Sequence, residues 1–125
     1  MARVLAYFWL IFIAVLHALP GSEVPSNHIF NVFHIDKLVH AFIFFVAYVI
    51  LVYSHHRQHS HLNTRLVFIG LILYGLLLEL SQALIFIERN FSVLDLIADS
   101  IGVLLGIYFF PKIPFLSTFE SCKKV

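Results

Sequence analysis

Apolar residues gather into four runs along this chain, separated by short polar groups. The runs cover Val4 to Leu19, Leu38 to Tyr53, Leu66 to Ile87 and Val93 to Phe110, the first stopped by Pro20-Gly21 and the last by Pro111. Each is near the roughly 20 residues with which a helix spans a hydrocarbon layer, the first two needing flanking residues to reach it. The third would extend about 33 Å at 1.5 Å per residue, enough to cross with some tilt. Helices are therefore expected over about 4–19, 36–54, 65–87 and 93–110.

Composition turns this pattern into a membrane reading. Of 125 residues, 61% are hydrophobic and 12% charged, and the mean hydropathy is +0.95. One soluble core of this size would leave most of that apolar surface wet, whereas a bilayer covers it. Backbone groups in lipid must be satisfied within their own segment, which favours helices over strands. Net charge is +1 with His neutral, and no basic stripe or recognition motif is present, so nucleic acid is not an expected partner. The lone Cys122 excludes an intramolecular disulfide, and the Lys123 and Lys124 that follow it are not the aliphatic pair of a prenylation box. Arg3 before an apolar run also fits a signal peptide. Leu16 and His17 ahead of Ala18 make a poor small-x-small cleavage site, however, and the run is expected to stay as a helix.

Positive charge orients the helices. Arg3 precedes the first, Arg57 and Arg65 lie between the second and third, and Lys112, Lys123 and Lys124 follow the fourth. The other two connections carry Lys37 and Arg89, each beside an acid, Asp36 or Glu88. Cytoplasmic loops are enriched in Lys and Arg, which places both termini and the middle loop inside. The expected fold is an all-α integral membrane four-helix bundle, a single domain with both termini cytoplasmic.

Depth then follows from the helical rise. Asp36 and Lys37 fall at the outer mouth, with His40 about 6 Å deeper on the same face. Asp95 lies near the mouth on the fourth helix and Asp99 about 6 Å below it. The third helix contributes Gln82 and Glu79, the latter roughly 13 Å inside Glu88. Three helices thus deliver polar side chains to the outer half of the membrane, and the inner half holds almost none.

Each of these residues also has a plainer reading. Asp36 can cap its helix, Lys37 can snorkel, and His40 can be a hydrogen-bonded core residue. Ser92-Val93-Leu94-Asp95 fits a capping box, in which the acid reaches back to the Ser92 amide. Glu79 has no such excuse, because it stands within Leu76-Leu77-Leu78-Glu79-Leu80 with no cap or interface near. An acid there costs a few kcal/mol unless it pairs, protonates or touches water, which makes a functional role the default. Gln82 shares its face and can donate to it, and Asp99 reads in the same way as Glu79. Asp95, Asp99, Gly102 and Gly106 form one stripe, and Gly102-x-x-x-Gly106 lets another helix approach, most simply within the same chain. Arg89 in the outer turn is placed to meet one of the acids.

The segment His55-His56-Arg57-Gln58-His59-Ser60-His61 is rich in imidazole but has no Cys or carboxylate, and reads as a solvated loop rather than a metal site. Phe30, Phe33, Phe42, Phe44 and Phe45 are expected at interface and lipid positions. No phosphate-binding glycine loop, nucleophile elbow or zinc-protease helix is present. No cofactor is expected, although a divalent cation is compatible with the acids.

At the level of motifs, Asp36-Lys37-x-x-His40 opens one helix and Glu79-x-x-Gln82 nearly closes the next, followed by Arg89, Ser92-x-x-Asp95 and Asp99-x-x-Gly102-x-x-x-Gly106. This combination, from Asp36 to Gly106, resembles the VanZ-like family of small bacterial membrane proteins. One departure is Asp99, where the family usually has Asn. The resemblance implies a multi-pass protein of the bacterial cytoplasmic membrane. It also implies a link to the cell envelope, since the founding member is associated with resistance to teicoplanin, a glycopeptide that binds cell-wall precursors. Its shared site would be Asp36, Lys37, His40, Glu79, Gln82, Arg89 and Asp95.

The function expected is modulation of the envelope by binding or acting on a membrane lipid or lipid-linked precursor. As an enzyme, His40, Glu79 and Asp95 would be the catalytic set, with His40 or Glu79 moving a proton and Asp36 and Asp95 binding a cation or orienting His40. As a binder, Asp36, Lys37, Gln82, Arg89 and Asp99 would hold the ligand, with Lys37 and Arg89 on an anionic head group. The third alternative is a polar lock that only fastens the helices.

Overall fold

Each apolar run becomes a helix. A computed structural model describes residues 2–18, 35–56, 63–85 and 91–112, and among these there is no strand. Helix α1 spans Ala2–His17, α2 Ile35–His56, α3 Thr64–Ile85 and α4 Val93–Phe109, with a 3-10 turn over Phe110–Lys112. Three of the four are long and apolar enough to cross a membrane. The exception is α1, whose 16 residues give about 24 Å against a hydrocarbon thickness of about 30 Å. In contrast α2, also expected to be short, reaches 22 residues by extending at both ends of its apolar run.

Local chemistry sets two of the helix starts. Asn63 Oδ1 accepts the Arg65 amide at 2.9 Å, and Ser92 Oγ accepts the Asp95 amide at 3.2 Å, each satisfying a first-turn donor that has no partner within the helix. At the far end of α4, Pro111 brings no amide and the last turn tightens to 3-10.

The core is built around α2. Phe44, Ala47, Tyr48 and Val52 are buried between Ile13 of α1, Leu71 of α3 and Val103 of α4. Phe44 is therefore a core side chain and not a lipid contact, while Phe42 is exposed as expected; Phe30 and Phe33 lie outside the described residues. The most extensive helix contact is between α2 and α4. It is close because two glycines face α2: a Cβ on Gly102 would sit 2.1 Å from the Ala41 carbonyl oxygen, and one on Gly106 would sit 2.6 Å from the Tyr48 ring.

Three side-chain bonds to main-chain carbonyls hold α1 in place. Trp9 Nε1 donates to Ile43 at 3.1 Å, Tyr74 Oη to Leu10 at 2.6 Å, and Gln82 Nε2 to His17 at 2.8 Å. The last of these meets a carbonyl in the final turn of α1, where helix acceptors lack intrahelical partners.

The outside of the bundle is apolar along every helix, with Phe8, Ile11, Phe42, Leu66, Leu77, Leu84 and Tyr108 among the exposed residues. Charge is segregated. Among the described residues, Asp36, Glu79, Asp95 and Asp99 all lie toward one end, whereas Arg3, Arg65 and Lys112 lie at the other.

Candidate functional site

The acidic end is where the C-terminal parts of α1 and α3 meet the N-terminal parts of α2 and α4. All four helices contribute a polar side chain, so the cluster is wider than the three-helix group expected from the sequence. The added member is His17, only 4% exposed at the end of α1. Its ring stands edge-on to that of His40, with centroids 4.9 Å apart.

Two contacts join α2 to α4. Lys37 Nζ donates to Asp95 Oδ1 at 2.5 Å, and lies 3.8 Å from Asp36 Oδ2. One turn deeper, His40 Nδ1 is 3.0 Å from Asp99 Oδ1, a carboxylate with no exposed surface. Of the two roles expected for Asp36 and Asp95, binding a cation or orienting His40, the contact that orients the His40 ring is made by Asp99 instead. The reason is spacing: Lys37 and His40 are three residues apart on α2 and Asp95 and Asp99 four apart on α4, so each pair shares a helix face, and the N-terminal turns of the two helices lie side by side and pair them rung by rung.

Glu79 points inward and is 1% exposed. Its Oε2 accepts the Ser92 amide at 3.2 Å. The capping box is accordingly only half formed: Ser92 Oγ holds the Asp95 amide, but the reciprocal position at the Ser92 amide is taken by Glu79, because Lys37 draws the Asp95 carboxylate toward α2. Gln82 is buried but donates to the His17 carbonyl and not to Glu79. The remaining oxygens, Glu79 Oε1 and Asp99 Oδ2, are buried without a hydrogen-bond partner among the described residues. Asp99 Oδ2 lies against Gly75 of α3, where an added Cβ would come within 2.8 Å of it.

Of the residues singled out from the sequence, Lys37, His40, Glu79, Gln82, Asp95 and Asp99 are thus brought together, with Asp36 exposed at the rim. Arg89 lies outside the described residues, as does most of the histidine-rich segment. The residues missed were His17 and Gly75. His17 carried a usable signal, since it follows Ile13 by four on the buried stripe of α1 and falls at the same depth as the other polar groups. Gly75 carried none, because its role depends on which helix faces it.

Chemically, the cluster offers an ion pair at its rim, an imidazole held by a buried carboxylate, and a second buried carboxylate beside two imidazoles. An apolar groove of 310 Å³ runs between α2 and α4 from Leu38, the residue after Lys37, past Ala41, Phe42 and Phe45 to Leu105 and Phe109.

Comparison with known proteins gives one match. No curated protein and no solved structure is significantly similar to the chain. A family model described as VanZ/LLP1 matches residues 3–116, a span that takes in the whole polar cluster and nearly the entire length of the four helices. The motif resemblance and the family model agree, and the chain belongs to the VanZ/LLP1 family.

Proposed function

We propose that this membrane protein of the VanZ type binds a membrane lipid or lipid-linked envelope precursor, with its head group at the Lys37–Asp95 rim and an acyl chain in the adjoining groove. The observation that carries this reading is the junction of the two surfaces. A partly exposed ion pair and an apolar groove both lie along the α2–α4 contact, the groove starting at Leu38 next to Lys37 in the chain, a layout that suits an amphipathic ligand. The segregation of charge supports an orientation with Arg3, Arg65 and Lys112 on the cytoplasmic side. The rim then faces the outer leaflet of the bacterial cytoplasmic membrane, where cell-wall precursors are exposed to glycopeptides.

Native mass spectrometry of the gently solubilised protein tests the reading. A retained lipid is expected, and Phe42→Asp, which puts a charge on the groove without touching the core, should release it, as should Lys37→Ala. Release of the wild-type chain without lipid, or equal retention by both variants, refutes it.

A second reading, in which the site acts on the same ligand, is favoured by one observation: Asp99 fixes the ring of His40 as an orienting acid fixes a general base. Glu79→Gln separates the two. A binder keeps most of its envelope phenotype, whereas an acid–base enzyme loses it at unchanged protein level.

A further inference from the structure

Below the rim, one donor atom from each of His17, His40 and Glu79 lies within 4.8 Å of the others, and all three residues are buried. We propose that these side chains form a binding site for a divalent transition-metal ion of the zinc type. The donor set is two imidazoles and one carboxylate, which suits zinc and its borderline neighbours and not magnesium. A tetrahedral ion with bonds near 2 Å needs its ligands about 3.3 Å apart, so the three groups close in modestly on binding.

The surroundings of each donor strengthen the assignment. Ligating histidines usually donate their second ring N–H to a carboxylate or a carbonyl, which fixes the tautomer. Both arrangements occur here: His40 Nδ1 is held by Asp99 Oδ1 at 3.0 Å, and His17 Nδ1 by the Ile13 carbonyl at 2.9 Å. In the tautomer that donates from Nδ1 to these oxygens, the basic nitrogen of each ring is Nε2. Glu79 follows the same rule, one oxygen accepting the Ser92 amide while Oε1, buried, has no hydrogen-bond partner among the described residues.

Charge leads to the same place. Lys37 pairs with Asp95 at the rim, but Glu79 and Asp99 are two buried carboxylates with no direct ion pair to Lys or Arg among the described residues. One divalent ion balances both, with Glu79 as ligand and Asp99 behind His40. His17 also lines a 150 Å³ cleft between α1 and α3, bounded by Ala14, Ser81 and Gln82, which gives an ion a way in. Three protein ligands leave a fourth position for an oxygen of water or of a head group. A competing cluster, Asp36, His40 and Asp95, is less suited because Lys37 already sits against both acids. The proposal does not depend on the lipid assignment, since the ion is read on the protein alone.

The test is metal analysis of the full chain purified without chelators, followed by chelation and reloading with zinc or cobalt alone. About one zinc per chain is expected, with the visible bands of a tetrahedral cobalt site after reloading, and zinc should raise the thermal midpoint of the chelated wild type. Glu79→Gln should lower metal content at least ten-fold. Asp99→Asn, which leaves the three ligands intact, should weaken affinity by about 10–100-fold. The chelated wild type needs no substitution, so failure of a variant to fold does not obscure the result. Absence of zinc or cobalt binding by the wild type overturns the proposal. So does loss of the ion in Asp36→Asn with retention in Glu79→Gln, which would move the site to the rim.

Discussion

Substituting Gly102 by Ala adds one methyl group at the closest point between α2 and α4. The new Cβ would meet the Ala41 carbonyl oxygen at 2.1 Å and the Ala41 carbonyl carbon at 2.8 Å. These are backbone atoms and cannot rotate away, so the helices must part. Restoring an ordinary 3.4 Å contact from 2.1 Å requires about 1.3 Å of separation. Overpacking of this kind costs about 3 kcal/mol when nothing can yield. The same movement stretches the 3.0 Å contact between His40 and Asp99 toward 4 Å, roughly beyond hydrogen-bonding reach. Alanine also gains about 1 kcal/mol of helix propensity over glycine, which Gly70→Ala isolates because a Cβ there meets nothing within 4 Å. Compared with Gly70→Ala, Gly102→Ala should therefore be less stable by about 3 kcal/mol, a factor above one hundred in the folding equilibrium. Thermal unfolding of both variants in the same detergent, followed by size exclusion, measures the difference. Equal midpoints would show that α2 and α4 do not pack at this glycine.

Other consequences are simpler to read. Trp9 is the single tryptophan of the chain and bonds to Ile43, so its emission should report the docking of α1, and Trp9→Phe should cost about 1 kcal/mol. Emission unchanged on unfolding would contradict that contact. Gln82→Leu leaves the His17 carbonyl of α1 without its donor and should lower stability by about 1–2 kcal/mol in the same scan; no change would remove Gln82 from the α1–α3 junction. Lys37→Met strands Asp95 and should cost about 2 kcal/mol, much of it recovered by adding Asp95→Asn. Strictly additive losses in that cycle would mean the two groups do not interact.

The helices and their inward faces were legible because periodicity and depth are local properties. Glu79 inside a leucine run, and Asp95, Asp99, Gly102 and Gly106 on one stripe, could be placed by rise and angle alone. Partnership could not. Whether His40 meets Asp99 or Asp95 depends on how α2 and α4 are rotated and offset, which is set by contacts such as Ala41 with Gly102, where the glycine spacing marks a close approach but not the residue that fills it. The capping box formed only by half for the same reason, since the Ser92 amide is taken by Glu79 on α3 while the Asp95 carboxylate pairs with Lys37 on α2. Phe44 was misplaced because five phenylalanines near one helix look alike until its buried face is known. His17 was overlooked because it closed a run that seemed interesting only for where it stopped.

The rungs between α2 and α4 join residues 58 and 59 positions apart in the chain. During synthesis, Lys37 and His40 are made long before the carboxylates that answer them. A nascent or truncated chain lacking its last helix keeps Asp36 and Glu79 near these two groups but lacks the carboxylates that bond to them, and a buried polar group left unbonded costs about 1–3 kcal/mol. Completion of the polypeptide removes that penalty in one step. The pairs that organise the site therefore close only once the last helix is in place.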